Sequence, residues 1–176
     1  MLVKLNLERV NITRIVKHNL FYVFVFWLIS GCQGNINTSS PILPGGINSN
    51  SPEEYPNYSS DGRYLVFASD RRGQRDIFLY DFEQNGLVDL PNLNHGNSSQ
   101  DQPSISDDGR YIVYLSTERG KTDIFIYDRQ TQKSDLLTGN LKGSVRNPTI
   151  SGDGKKLAFQ SSQLGQWKIV LLEINR

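Results

Sequence analysis

The sequence predicts an all-β chain: three four-stranded antiparallel blades forming part of a propeller, preceded by an N-terminal helical signal segment. Three observations predict it. One motif recurs three times at the spacing of a propeller blade. Each copy alternates short apolar strands with turn residues. The longest apolar run lies near the N-terminus and closes on the single cysteine, Cys32.

The repeat carries the fold. Asp61-Gly62-Arg63 recurs as Asp108-Gly109-Arg110 and as Asp153-Gly154-Lys155, at spacings of 47 and 45 residues. Without a gap, Pro56, Pro103 and Pro148 precede the Asp, and Ser59, Ser106 and Ser151 follow that Pro. Ser69, Ser116 and Ser161 lie beyond the Asp, followed by Gly73, Gly120 and Gly165. So many shared columns mark one structural unit copied three times.

Within each unit the pattern reads as four strands. A short stretch follows the Pro: Asn57-Tyr58-Ser59, Ser104-Ile105-Ser106 or Thr149-Ile150-Ser151. The pairs Asp61-Gly62, Asp108-Gly109 and Asp153-Gly154 are hairpin signals, because Gly accepts a positive φ and Asp bonds its own backbone in a tight turn. The second strand is Tyr64–Ala68, Tyr111–Leu115 or Lys156–Gln160, rich in β-branched and aromatic residues. Its nearly unbroken apolar character predicts burial on both faces. A glycine turn leads to a third strand, Ile77–Tyr80, Ile124–Tyr127 or Ile169–Leu172. A weaker fourth follows at Leu87–Leu90 or Ser134–Leu137.

The stretch from Pro103 through Asp128 resembles the repeat of TolB-like propellers, and the likeness extends over residues 55–175. The family's Ser-Pro-Asp-Gly turn is altered here: Ser60, Asp107 and Gly152 stand where it has Pro. Lys168 also replaces the Asp76 and Asp123 of the other units, so the third unit is the most divergent. The resemblance implies a periplasmic propeller that binds a partner at the mouth of its ring.

Residues 1–19 carry Lys4, Arg9, Arg14 and Lys17 against Glu8, and Leu20–Ile29 is apolar throughout. Such a run is about half of what a membrane-spanning helix needs, which favours a cleaved signal. It ends Leu28-Ile29-Ser30-Gly31-Cys32, the arrangement of a bacterial lipobox. Cys32 is therefore the expected lipidation site; a plain signal peptide or an uncleaved anchor is the competing reading. The expected organisation is a signal over 1–31, a flexible tether over 32–54 and propeller blades over 55–176. The blades fall at about 55–100, 101–146 and 147–176. The Gly, Asn, Ser and Pro of the tether bury too little apolar surface to order themselves.

Closure is the open question. The third unit stops after its third strand, and Ile42-Leu43-Pro44 precedes Pro56 much as Leu136-Leu137 precedes Pro148. Residues 40–46 are thus expected to supply the missing outer strand. Three blades do not close a ring. A homodimer would complete a six-bladed one.

The chemistry-bearing residues are few. A net charge of +1 with no basic patch excludes a dedicated nucleic-acid binder. Apart from His18 in the signal, the one histidine is His95, in a polar loop, and no nucleophile elbow occurs. No cofactor and no metal is expected, since zinc would need more His or Cys ligands than exist. Asp61, Gly62, Asp108, Gly109, Asp153 and Gly154 are read as structural turn residues. The candidate partner-binding residues sit on loops that enter the first strand or join the second to the third. They are Glu54, Tyr55, Arg71, Arg72, Asp101, Gln102, Arg119, Arg146 and Asn147, on one predicted face. The sequence therefore predicts a non-enzymatic, membrane-anchored interaction module of the cell envelope, exported and binding a protein or peptide. The alternatives are an accessory or degenerate piece of a hydrolase system, and a truncated propeller without independent function.

Overall fold

The computed structural model describes residues 45–175. The signal segment, Cys32 and residues 40–44 of the expected closing strand lie outside the described residues. Eleven strands make three antiparallel sheets. Blade 1 is β1 (Glu53–Tyr58), β2 (Tyr64–Ser69), β3 (Asp76–Asp81) and β4 (Gly86–Val88). Blade 2 is β5 (Gln100–Ile105), β6 (Tyr111–Ser116), β7 (Asp123–Asp128) and β8 (Lys133–Leu136). Blade 3 is β9 (Val145–Ile150), β10 (Lys156–Ser161) and β11 (Lys168–Glu173). Strands run in sequence order across each sheet, and β1, β5 and β9 lie side by side as the inner strands.

The Asp-Gly turns are built alike. Ser59 donates its hydroxyl to the Asp61 carboxylate at 2.6 Å, and the Arg63 amide donates to the same oxygen at 2.9 Å. Ser106 and Asp108, then Ser151 and Asp153, repeat the arrangement. The three glycines take φ of 70°, 70° and 73°, which a side chain would strain. In blades 1 and 2 an arginine then ties the hairpin to the end of the third strand: Arg63 to Asp81 at 2.9 Å and Arg110 to Asp128 at 2.8 Å.

These bonds set a pH dependence. Arg63 holds the Asp81 carboxyl below the usual carboxylate range, and Arg110 does so for Asp128; burial opposes both. Ser59 and Ser151 act chiefly in the same direction on Asp61 and Asp153. A lowered carboxylate stabilises the fold fully above its unfolded-state value and loses that contribution as pH falls through the folded one. The urea midpoint should therefore be flat between about pH 5 and 7 and fall below about pH 4. Asp128→Asn should remove part of that fall. A midpoint already dropping between pH 7 and 5 would contradict the assignment.

Side-chain alternation gives each blade two apolar faces. Val66, Ala68, Ile77 and Leu79 of blade 1 meet Ile112, Tyr114, Phe125 and Tyr127 of blade 2. On the other side of blade 2, Val113, Leu115, Ile124 and Ile126 meet Leu157, Phe159 and Val145 of blade 3. The continuous apolar character of β2, β3, β6 and β7 follows from this stacking, since both faces are covered.

Two expectations need correction. The first strands are longer than the Pro-to-Ser stretches, because Pro56, Pro103 and Pro148 lie inside β1, β5 and β9 rather than before them. A bulge in each strand takes the Pro out of the ladder, so its missing N–H costs no bond. Blade 3 has three strands among the described residues, as its own repeat predicts, and residues 40–44, expected to supply a fourth, lie outside them. Finally, Gly45 and Gly46 are not a strand on β11: they form a turn at blade 1. Arg71 donates there to the Gly46 carbonyl at 2.8 Å and to the Ile47 carbonyl. Ile47 packs on Leu65, Phe67, Phe78 and Tyr80, the outward face of blade 1. The C-terminal part of the expected tether is thus fixed to the first blade. Its one branched apolar residue finds an aromatic slot, and Arg71 grips the backbone on either side.

Candidate functional site

The three bulges fall at the same place in each blade. The register slips between Glu54 and Asn57 in β1, and between Asp101 and Ser104 in β5. It slips again across the Arg146–Thr149 stretch of β9. The residue before the Pro takes a left-handed conformation each time: Tyr55 at φ 53°, Gln102 at φ 49° and Asn147 at φ 50°. Such backbone costs an ordinary side chain roughly 1–2 kcal/mol and is most foreign to Tyr and Gln. The three blades therefore store the same strain at the same point.

The bulges bring these residues together. Tyr55, Gln102 and Asn147, with the prolines and with Asn57, Ser104 and Thr149, line one cleft of about 310 Å³ along the inner strands. Gln102 accepts the Asn147 amide at 2.6 Å, so neighbouring blades lock across it. Asn57 accepts the Ile105 amide at 2.9 Å, and Ser104 the Ile150 amide at 3.3 Å. Inner strands of adjacent blades are thus stitched by side chains instead of by a backbone ladder.

Beside this cleft lies a second hollow of about 380 Å³, lined by Arg75, Asp101, Gln102, Thr117, Thr122 and Arg146 among others. The loops entering the inner strands and those joining second and third strands meet here. Asp70 donates its amide to Pro52, Thr117 to Ser99 and Ser162 to Ser144. Of the residues singled out from sequence, Glu54, Tyr55, Asp101, Gln102, Arg146 and Asn147 gather at this end.

Arg75 is the residue that sequence reasoning left out of the set. It is largely buried and pairs with Glu54, with Asp101 at 2.9 Å and with Asp70 at 3.6 Å. Burial opposes its charge, but the bonds to Asp101 and Glu54 outweigh that and hold its pKa above the usual guanidinium range. No repeat signal marks it, because the equivalent positions are Thr122 and Trp167. Arg75→Gln would leave three carboxylates facing one another. It should cost about 1–2 kcal/mol in urea unfolding at low salt, and less at 1 M salt. An unchanged midpoint at low salt would contradict the pairing.

Arg146 stands differently. Its guanidinium lies 3.9 Å from the Trp167 ring centre, and its Nε donates to Gln160 at 2.8 Å. Arg63, Arg71, Arg72, Arg75, Arg110 and Arg119 each hold a carboxylate, whereas Arg146 holds an amide and an aromatic face. Arg71 is mostly covered: its side chain pairs with Glu53 at 3.0 Å and lies over the Phe67 and Phe78 rings. Arg72 and Arg119 remain half-exposed, paired four residues on with Asp76 and Asp123. His95 lies 3.4 Å from Glu118, away from the cleft. Among the described residues no group of three or more His, Cys, Asp or Glu could hold a metal ion. No helix there is long and apolar enough to cross a membrane.

No family model matches the chain, and no curated protein matches it. Solved structures do. TolB from Acinetobacter baumannii superposes with a TM-score of 0.60 at 20% identity, over 73% of this chain and 31% of that one. A TolB-type protein of Agrobacterium tumefaciens gives 0.61 at 22%, over 73% and 48%. The fold is a partial TolB-like β-propeller. The propeller domain of the Trilobed protease from Pyrococcus furiosus, which has an open velcro topology, gives 0.51 at 17%, over 70% and 39%. The chain spans less than half the length of each of these TolB-like structures and of the protease domain.

Proposed function

We propose that this TolB-like arc is a non-enzymatic interaction module of the bacterial cell envelope. It takes a protein or peptide in the cleft of Tyr55, Gln102 and Asn147. Glu54, Asp101 and Arg146 flank the bound segment. One observation carries the reading: the same strained bulge, repeated in three blades, turns three otherwise separate side chains toward one cleft. The basic, apolar N-terminus supports export, and the lipobox supports anchoring through Cys32. A homodimer belongs to the same reading, because two arcs of three blades make six.

The test uses the full chain in detergent-solubilised envelopes. Tyr55→Ala with Arg146→Glu alters two exposed side chains and should leave the melting temperature within a few degrees. It should reduce retention of the envelope protein held by the unaltered chain about tenfold or more. Equal retention by the variant would overturn the proposal.

A second reading is favoured by the likeness to the protease propeller domain. In it the arc is an accessory piece of a hydrolase system. Peptide hydrolysis by the purified chain, or by a stable complex assembled on it, would select that reading.

A further inference from the structure

We infer that the open face of blade 3 docks on blade 1 of a second copy, where Ile169 and Leu171 replace Ile47. The inference rests on the homodimer reading above and specifies its junction. Ile169 and Leu171 stand at the positions of Ile77 and Leu79 in blade 1 and of Ile124 and Ile126 in blade 2. Those four are at most 1% exposed, covered by the following blade, whereas Ile169 is 68% and Leu171 78% exposed. Blade 3 thus presents a face of the kind that the next blade covers elsewhere in the arc. Thr149, Ile150, Leu157 and Ala158 line the hollow beside Leu171.

The complementary face is in the same chain. Tyr114, Phe125, Tyr127 and Ile112 of blade 2 receive Ile77 and Leu79. Their equivalents in blade 1 are Phe67, Phe78, Tyr80 and Leu65, and these carry Ile47 instead of a blade. A branched apolar side chain already occupies the slot, in the manner that blade 3 would.

Two further series predict the register. The side-chain-to-amide stitches run Asn57 to Ile105 and Ser104 to Ile150; the next member is Thr149 to the Tyr58 amide of the second copy. A tyrosine also lies close over the glycine turn of each following blade. A Cβ on Gly109 would stand 2.4 Å from Tyr64, and one on Gly154 would stand 2.5 Å from Tyr111. The next member places Lys156 over Gly62 of the second copy, and Gly62 has open space around it. The two-copy ring would contain two such junctions, each displacing one Ile47 segment.

The test is a cysteine cross-link in membranes holding the full chain. Thr149→Cys with Tyr58→Cys should give a disulfide-linked dimer on mild oxidation, and neither single variant should. Leu171→Glu alters an exposed residue, so it leaves the circular dichroism spectrum unchanged and should cut the cross-linked fraction about tenfold or more. Ile47→Gly should raise that fraction. Sedimentation of the detergent-solubilised chain separates the two levels of the argument. A dimer without the cross-link, or one indifferent to Leu171→Glu, would overturn this junction and leave the homodimer standing. A monomer at every concentration would overturn both.

Discussion

Tyr114→Ala should lower the stability of the arc by about 4 kcal/mol, the size expected for removing a fully buried aromatic side chain. Tyr114 sits in the centre of the contact between blades 1 and 2, with no exposed surface. Its ring stacks on Phe125 with centroids 5.9 Å apart, and its hydroxyl lies 2.9 Å from that of Ser134. Burial pushes the phenol pKa up to about 12, so it stays neutral and keeps that bond over the whole working range. Tyr114→Phe keeps the ring and should cost only about 1 kcal/mol, the value of one hydrogen bond. For a domain of this size the alanine variant should melt about 15 °C lower and the phenylalanine variant about 4 °C lower. A loss below about 1 kcal/mol for Tyr114→Ala would mean that blade stacking does not hold the arc together.

Gly109→Ala should cost about 3 kcal/mol, while the same change at Gly62 costs about 1 kcal/mol. Both glycines have φ of 70°, so both variants carry the strain of left-handed backbone. Only Gly109 adds a collision, with its Cβ 2.4 Å from the Tyr64 ring. That ring cannot move aside freely, because Arg63 and Arg129 lie 4.9 Å and 4.4 Å from its centre. The difference between two chemically identical substitutions isolates the inter-blade contact from the turn itself. Equal losses in urea unfolding would show that Tyr64 yields without cost.

The strands and turns were legible because the repeat printed them three times. Asp61-Gly62 and Tyr64–Ala68 alone would suggest one hairpin, but three aligned copies fix the period. The bulges were not legible. Pro56, Pro103 and Pro148 read as breaks before a strand, since nothing local says that the ladder skips the residue before each of them. The cleft residues were chosen from loop position, and the strain at Tyr55, Gln102 and Asn147 is visible only in three dimensions.

Contacts made by unrepeated residues stayed hidden for a related reason. Ile47 is a lone apolar residue in a Gly- and Asn-rich stretch, and its anchoring depends on Arg71, which reads from sequence as a candidate partner-binding loop residue. Leu93, buried in the polar loop before β5, and Asn94, which bonds both the amide and the carbonyl of Ile77, have no counterpart columns either.

The binding cleft is the central claim, and site-specific photo-crosslinking tests it most directly. A photoreactive residue is placed in turn at Tyr55 and Gln102 in the cleft, and at Glu83, which is exposed in the turn after β3 at the opposite end. Adducts to one envelope protein from Tyr55 and Gln102, with none from Glu83, are the predicted result. Adducts from Glu83 alone, or equally from all three positions, would contradict the cleft as the binding face.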